Sequence, residues 1–95
     1  MYTKMDYTIL KAITDEKDPN KGLSRGKGTT CNEIKAKTGA SISKIRKTLN
    51  SFTEEGFVQR GLNEGRFKTF ILTHKGILEL QNIKKNIALE EDVDG

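Results

Sequence analysis

The apolar positions of the chain recur with two different periods. In "TKMDYTILKAITDE", Met5, Ile9, Leu10 and Ile13 follow helical spacing, with Thr3 as N-cap and Asp6 three residues on. Pro19, Gly22, Gly26 and Gly28 then interrupt any helix across "DEKDPNKGLSRGKGTT". Helical spacing resumes in "TCNEIKAKTG", where Thr30 and Glu33 form a capping-box pair. This predicts a short helix from Cys31 to Thr38 with Cys31, Ile34 and Ala36 inward, ended by Gly39. Ser41 can cap a second helix over 42–55, which stops at Gly56. Two helices joined by a three-residue turn containing Gly make a helix-turn-helix.

After Gly56 the period changes to that of strands. "FVQRG" and "RFKTFILT" are rich in aromatic and β-branched residues, and "LNEG" between them supplies a turn. This predicts a two-stranded hairpin over 57–72 with Arg60, Arg66 and Lys68 on or near its tip. A final helix starts after Thr73 and carries Ile77, Leu80, Ile83 and Ile87 on one side. The expected fold is mainly α with a small β-hairpin (α+β), in the order α-α-α-β-β-α. Residues 1–89 form one domain, and 90–95 are expected to be an acidic, disordered tail.

Placed on a wheel at 100° per residue, Ile45, Leu49 and Phe52 of the 42–55 helix cluster within about 60°, with Ile42 beside them. Ser43, Arg46, Lys47 and Asn50 fall on the opposite side, with Lys44 at its margin. One face is dry, and the other offers cations, an amide and a hydroxyl. Such groups suit a DNA major groove: Arg or Lys for guanine acceptors, Asn for adenine, hydroxyls for phosphates.

Charge sharpens this picture. The formal net charge of the 95 residues is +4, but Lys17 to Lys75 hold thirteen bases against five acids, a local +8. The last seven residues, "LEEDVDG", hold four acids and no base. A basic body with an acidic end fits a polyanion binder. Charge alone fits a merely soluble basic domain as well. Lys21, Arg25 and Lys27 make the long loop before Thr30 a candidate flexible, DNA-contacting arm.

Other chemistry finds little support. "GKGT" fails as a phosphate-binding loop, because only three residues separate Gly22 from Gly26 and Gly28 follows Lys27 where Ser or Thr is required. One Cys and one His (Cys31 and His74) cannot make a four-ligand zinc site. No catalytic residue, metal or cofactor is assigned, and the chain is read as a non-enzyme. No apolar run nears the roughly 18 residues needed to cross a bilayer. The single cysteine fits a reducing, cytoplasmic setting.

The run from Thr30 to Gly76 resembles the winged helix-turn-helix of MarR- and PadR-type bacterial regulators. The matching residues are "EIKAKTGASISKIRKTLNSFTEEGFVQRG" and "GRFKTFILTHKG", and "TEEGFV" and "LTHKG" are the most telling. The resemblance implies that Ser43, Lys44, Arg46, Lys47 and Asn50 enter a major groove. It also implies that Arg66 and Lys68 reach an adjacent minor groove or its phosphates. Thr30, Ser41 and Arg60 complete the candidate DNA-binding set.

MarR-type regulators usually add longer flanking helices and an effector pocket, for which this length leaves little room. The chain is also similar to small plasmid and phage winged-helix proteins, including TubR-like centromere-binding adaptors. A transcriptional regulator and a DNA partition or transfer accessory protein both remain open. A low hydrophobic content of 34% further suggests a homodimer. Met5, Ile9, Ile77, Leu80, Ile83 and Ile87 are its candidate interface, and the acidic tail or final helix is a candidate surface for a protein partner.

Overall fold

The computed structural model describes residues 2–94, apart from the side chains of residue 84 and of residues 86–94. Helix α1 spans Lys4–Ala12, a single 3-10 turn Arg25–Lys27, α2 Cys31–Thr38 and α3 Ile42–Glu54. Strands β1 (Val58–Arg60) and β2 (Phe70–Leu72) follow, and α4 runs His74–Asp94. The α+β class and the element order are those expected from the sequence.

Local chemistry sets the helix ends. Thr3 and Asp6 form the capping box of α1, and Thr30 and Glu33 that of α2. Helix α1 is shorter than its apolar pattern suggested, because Lys37 of α2 donates to the carbonyls of Ala12 (3.2 Å) and Thr14 (3.0 Å). A cation on the last carbonyls both satisfies them and meets the negative end of the helix. Gly39 takes φ +74° and its N–H reaches the Lys35 carbonyl at 2.8 Å, ending α2.

Helix α3 ends in a Schellman motif. The Phe57 N–H donates to the Phe52 carbonyl (2.8 Å) and the Gly56 N–H to that of Thr53 (3.0 Å), with Gly56 at φ +81°. The accompanying apolar contact is Phe52 against Phe57, whose ring centroids are 6.2 Å apart.

The core gathers Ile9 and Leu10 of α1 and its C-cap Ile13 with Ile34 of α2 and with Ile45, Leu49 and Phe52 of α3. Val58, Leu72 and Ile83 close it from the sheet and α4. Of the three α2 residues expected inward, Ile34 is buried, Cys31 half-buried and Ala36 exposed. Ala36 lies about 200° around the helix from Ile34, so both cannot face one core. Ala40, beyond the helix end, is buried instead.

The hairpin pairs Val58 with Leu72, Gln59 with Ile71 and Arg60 with Phe70. Its strands are shorter than expected, and the turn sits at Glu64–Phe67 rather than at "LNEG". Glu64 and Phe67 exchange backbone hydrogen bonds (2.9 and 3.0 Å), and Gly65 supplies φ +61°. Between turn and strands, the Thr69 hydroxyl donates to the Leu62 carbonyl at 2.7 Å.

The loop before α2 is not a free arm. Thr29 exchanges backbone hydrogen bonds with Phe70 (2.9 Å each), and Leu72 N–H donates to Gly22 O (2.8 Å). The segment thus lines the outer edge of β2. The Thr29 hydroxyl, fully buried, donates to the Ile13 carbonyl (2.5 Å) and ties the loop to α1. No helix among the described residues is long and apolar enough to cross a membrane.

Candidate nucleic-acid interface

Helix α3 is positioned by its own cap and its own dry face. The Ser41 hydroxyl accepts from the Lys44 N–H (3.1 Å), and Ile45, Thr48, Leu49 and Phe52 are buried against the core. Ser43, Arg46, Lys47 and Asn50 are left in solvent together. Across from Arg46 and Asn50 stand Arg66, Phe67 and Lys68 of the hairpin, so that α3 and the wing form two walls of an open groove of about 600 Å³. Thr30, Cys31 and Asn32 at the start of α2 line the same groove, with Ile42 and Phe70 contributing apolar surface.

Arg46, Lys47, Arg66 and Lys68 are exposed and form no ion pair among the described residues. The groove walls therefore present unneutralised positive charge. The other candidate cations, Arg25 excepted, are already engaged. Lys44 turns away from the groove and pairs with Asp6 of α1 at 3.1 Å. Burial would raise the Asp6 pKa, but hydrogen bonds from the Thr3 N–H and the Lys44 ammonium outweigh it and hold the carboxyl below its usual range.

Lys21 pairs with Glu33 (2.8 Å) and donates to Gly28 O (3.0 Å), and Lys27 pairs with Asp18 (3.0 Å). Only Arg25 of the three loop bases forms no ion pair among the described residues. Arg60 donates to Asn63 Oδ1 (3.0 Å) and lies over the Phe70 ring at 5.9 Å. The Thr30 hydroxyl is committed to its capping box, and the residue is buried.

Two residues at the groove were absent from the sequence-derived set. Asn32 is exposed in the first turn of α2, and Phe67 is 51% exposed on the wing. The capping box at Thr30 placed Asn32 at a helix start, but only the packing of α2 beside the wing brings it to this groove. Cys31 is half-buried there. Burial pushes its thiol pKa up, and the nearby Arg46 guanidinium only partly opposes that. Among the described residues, no three His, Cys, Asp or Glu side chains gather as a metal site.

The candidate dimer residues divide. Ile9 (0% exposed) and Ile83 (6%) belong to the chain's own core, so neither can face a partner. Both were expected at the interface because helical period shows that a stripe is apolar without showing what covers it. Ile77 and Leu80 pack partly on that core, Met5 is 40% exposed and Leu78 52%. Ile87 and the acidic end of the chain have side chains outside the described residues.

Comparison with solved structures places this arrangement. The Archaeoglobus fulgidus protein AF1382 matches with a TM-score of 0.71 and 28% identity, over 96% of this chain and 92% of that one. The PcaV transcriptional regulator of Streptomyces coelicolor, solved with its natural ligand, matches with a TM-score of 0.76 and 19% identity. That match covers 97% of this chain but 60% of the regulator's. A DNA-binding TubR fragment from Clostridium botulinum matches at TM-score 0.61 and 26% identity, over 87% of this chain and 98% of the fragment. The fold is a winged helix-turn-helix. No protein-family model and no curated protein sequence matches the chain. Within the winged helix, α2 and α3 are the helix-turn-helix pair, α3 stands in the recognition position, and the β1–β2 hairpin is the wing.

Proposed function

We propose that this winged helix binds double-stranded DNA sequence-specifically, reading the major groove with α3 and holding the adjacent minor groove or its phosphates with the wing. The observation that carries this reading is the pair of groove walls, Arg46 on one and Arg66 with Lys68 on the other, with no acid neutralising them among the described residues. Asn50 shares the α3 wall with Arg46, and Lys47 and Ser43 extend the polar face of α3 beyond the groove. The chemistry is binding rather than catalysis, and the biological role that fits best is a small transcriptional regulator. A homodimer would present two such faces, joined through the exposed Met5 and Leu78 and their half-buried neighbours Ile77 and Leu80.

A second role, as a partition or transfer accessory protein, is favoured by one observation: the TubR fragment is matched over 98% of its length. Sequencing of DNA selected by the purified protein separates the two. One palindrome marks a regulator, and an array of direct repeats marks an accessory protein. Binding itself is tested by salt. If about six phosphates are neutralised, affinity falls by about 10³-fold between 50 and 200 mM salt. A flat response, or no binding to any duplex at low salt, overturns the proposal.

A further inference from the structure

We infer that Phe67 is a DNA-contacting residue that packs on deoxyribose of the strand lying between α3 and the wing; the inference rests on the DNA-binding reading above. Phe67 is large, apolar and 51% exposed, and its neighbours in sequence, Arg66 and Lys68, are exposed cations. An aromatic ring left in water between two charges adds nothing to the core, and its uncovered face favours contact with a further apolar surface.

The ring is not at the end of a loose loop. Phe67 closes the Glu64–Phe67 turn, donating its N–H to Glu64 O (3.0 Å) and accepting from Glu64 N–H (2.9 Å). That pairing holds the residue on the wall facing α3, where Ile42 and Phe70 add apolar surface to the same groove. Leu62, the other exposed apolar residue of the hairpin, lines a different hollow with Asp18 and Lys27.

The groove therefore carries cations and apolar side chains side by side. A sugar–phosphate strand has the complementary pattern: phosphates to meet Arg46, Arg66 and Lys68, and between them sugar rings whose 2′ carbons carry no hydroxyl in DNA. Contact at that carbon would select deoxyribose over ribose, since the 2′-hydroxyl is what distinguishes RNA from DNA at a given site. It would also contribute affinity without releasing counterions.

The test compares the unmodified protein with Phe67→Ala and Phe67→Leu on the selected duplex, across salt concentrations. It then repeats the comparison on duplexes carrying a single ribonucleotide at each position in turn. The expected result is a loss of about tenfold for Phe67→Ala with an unchanged salt slope, and partial retention by Phe67→Leu. At one or two positions ribose should weaken the unmodified protein but not Phe67→Ala. Thermal melting should be nearly the same for all three, because the ring is half in solvent. Unchanged affinity, a reduced salt slope, or equal sensitivity of all variants to every ribose overturns the inference. Absence of any duplex binding by the unmodified protein removes the underlying reading instead, and the inference with it.

Discussion

The Lys44 ammonium of the recognition helix lies 3.1 Å from the Asp6 carboxylate at the start of α1. Asp6 simultaneously accepts from the Thr3 N–H at 3.0 Å, so one carboxylate caps α1 and holds a cation that would otherwise face solvent beside the polar face of α3. The free charge on the exposed face of α3 is thus set partly by a residue 38 positions away in the chain.

Asp6→Asn keeps an oxygen for the Thr3 amide but releases Lys44. Binding to any duplex should tighten at low salt, and the salt slope should steepen by about one. Titrations at several salt concentrations check this. An unchanged slope would show that Lys44 does not reach a phosphate once freed.

Base reading and backbone positioning should divide between the two groove walls. Lys47→Ala or Asn50→Ala is expected to cost about 1–3 kcal/mol on the selected site and to relax its sequence preference. Lys68→Ala should weaken all duplexes about equally and lower the slope by roughly one. Competition between specific and scrambled duplexes distinguishes them, and the opposite pattern reverses the two roles.

The proposed interface and the core are separable on α4 because Leu78 is exposed whereas Ile83 is buried. Leu78→Asp should leave the melting temperature nearly unchanged and shift the protein toward monomer in sedimentation. Ile83→Asp should unfold the domain, since a charge replaces a core side chain. A monomeric unmodified protein at tens of micromolar, binding a single half-site with full affinity, would falsify the dimer.

Gly76 sits in the first turn of α4 directly against the Phe57 backbone. A Cβ there would overlap the Phe57 carbonyl oxygen, the same oxygen that accepts from the Thr73 N–H at 3.0 Å. Gly76→Ala, normally favourable in a helix, should therefore destabilise the fold by about 1–3 kcal/mol, measured by denaturant unfolding. A neutral or stabilising result would mean that the α3–β1 corner shifts freely.

Several features were legible in the chain because their causes are local. A capping box needs only Thr and an acid three residues apart, and a left-handed helix end needs only a Gly. The division of α3 into dry and basic faces needs only helical period. Thr3, Thr30, Gly39, Gly56 and the exposed set of Ser43, Arg46, Lys47 and Asn50 are all of this kind. Tertiary structure decided which charges are free and which apolar stripes are covered. Lys21, Lys27 and Lys44 look equivalent to Arg46 and Lys68 in sequence, yet each pairs with an acid nine to 38 positions away along the chain. Ile83 and Leu78 are both apolar residues of one helix, and only the seat of α4 on α1 makes the first core and the second surface. Ion pairs and burial depend on contacts between segments that local period cannot specify, and so does the wing's approach to α3 that places Phe67 in the groove.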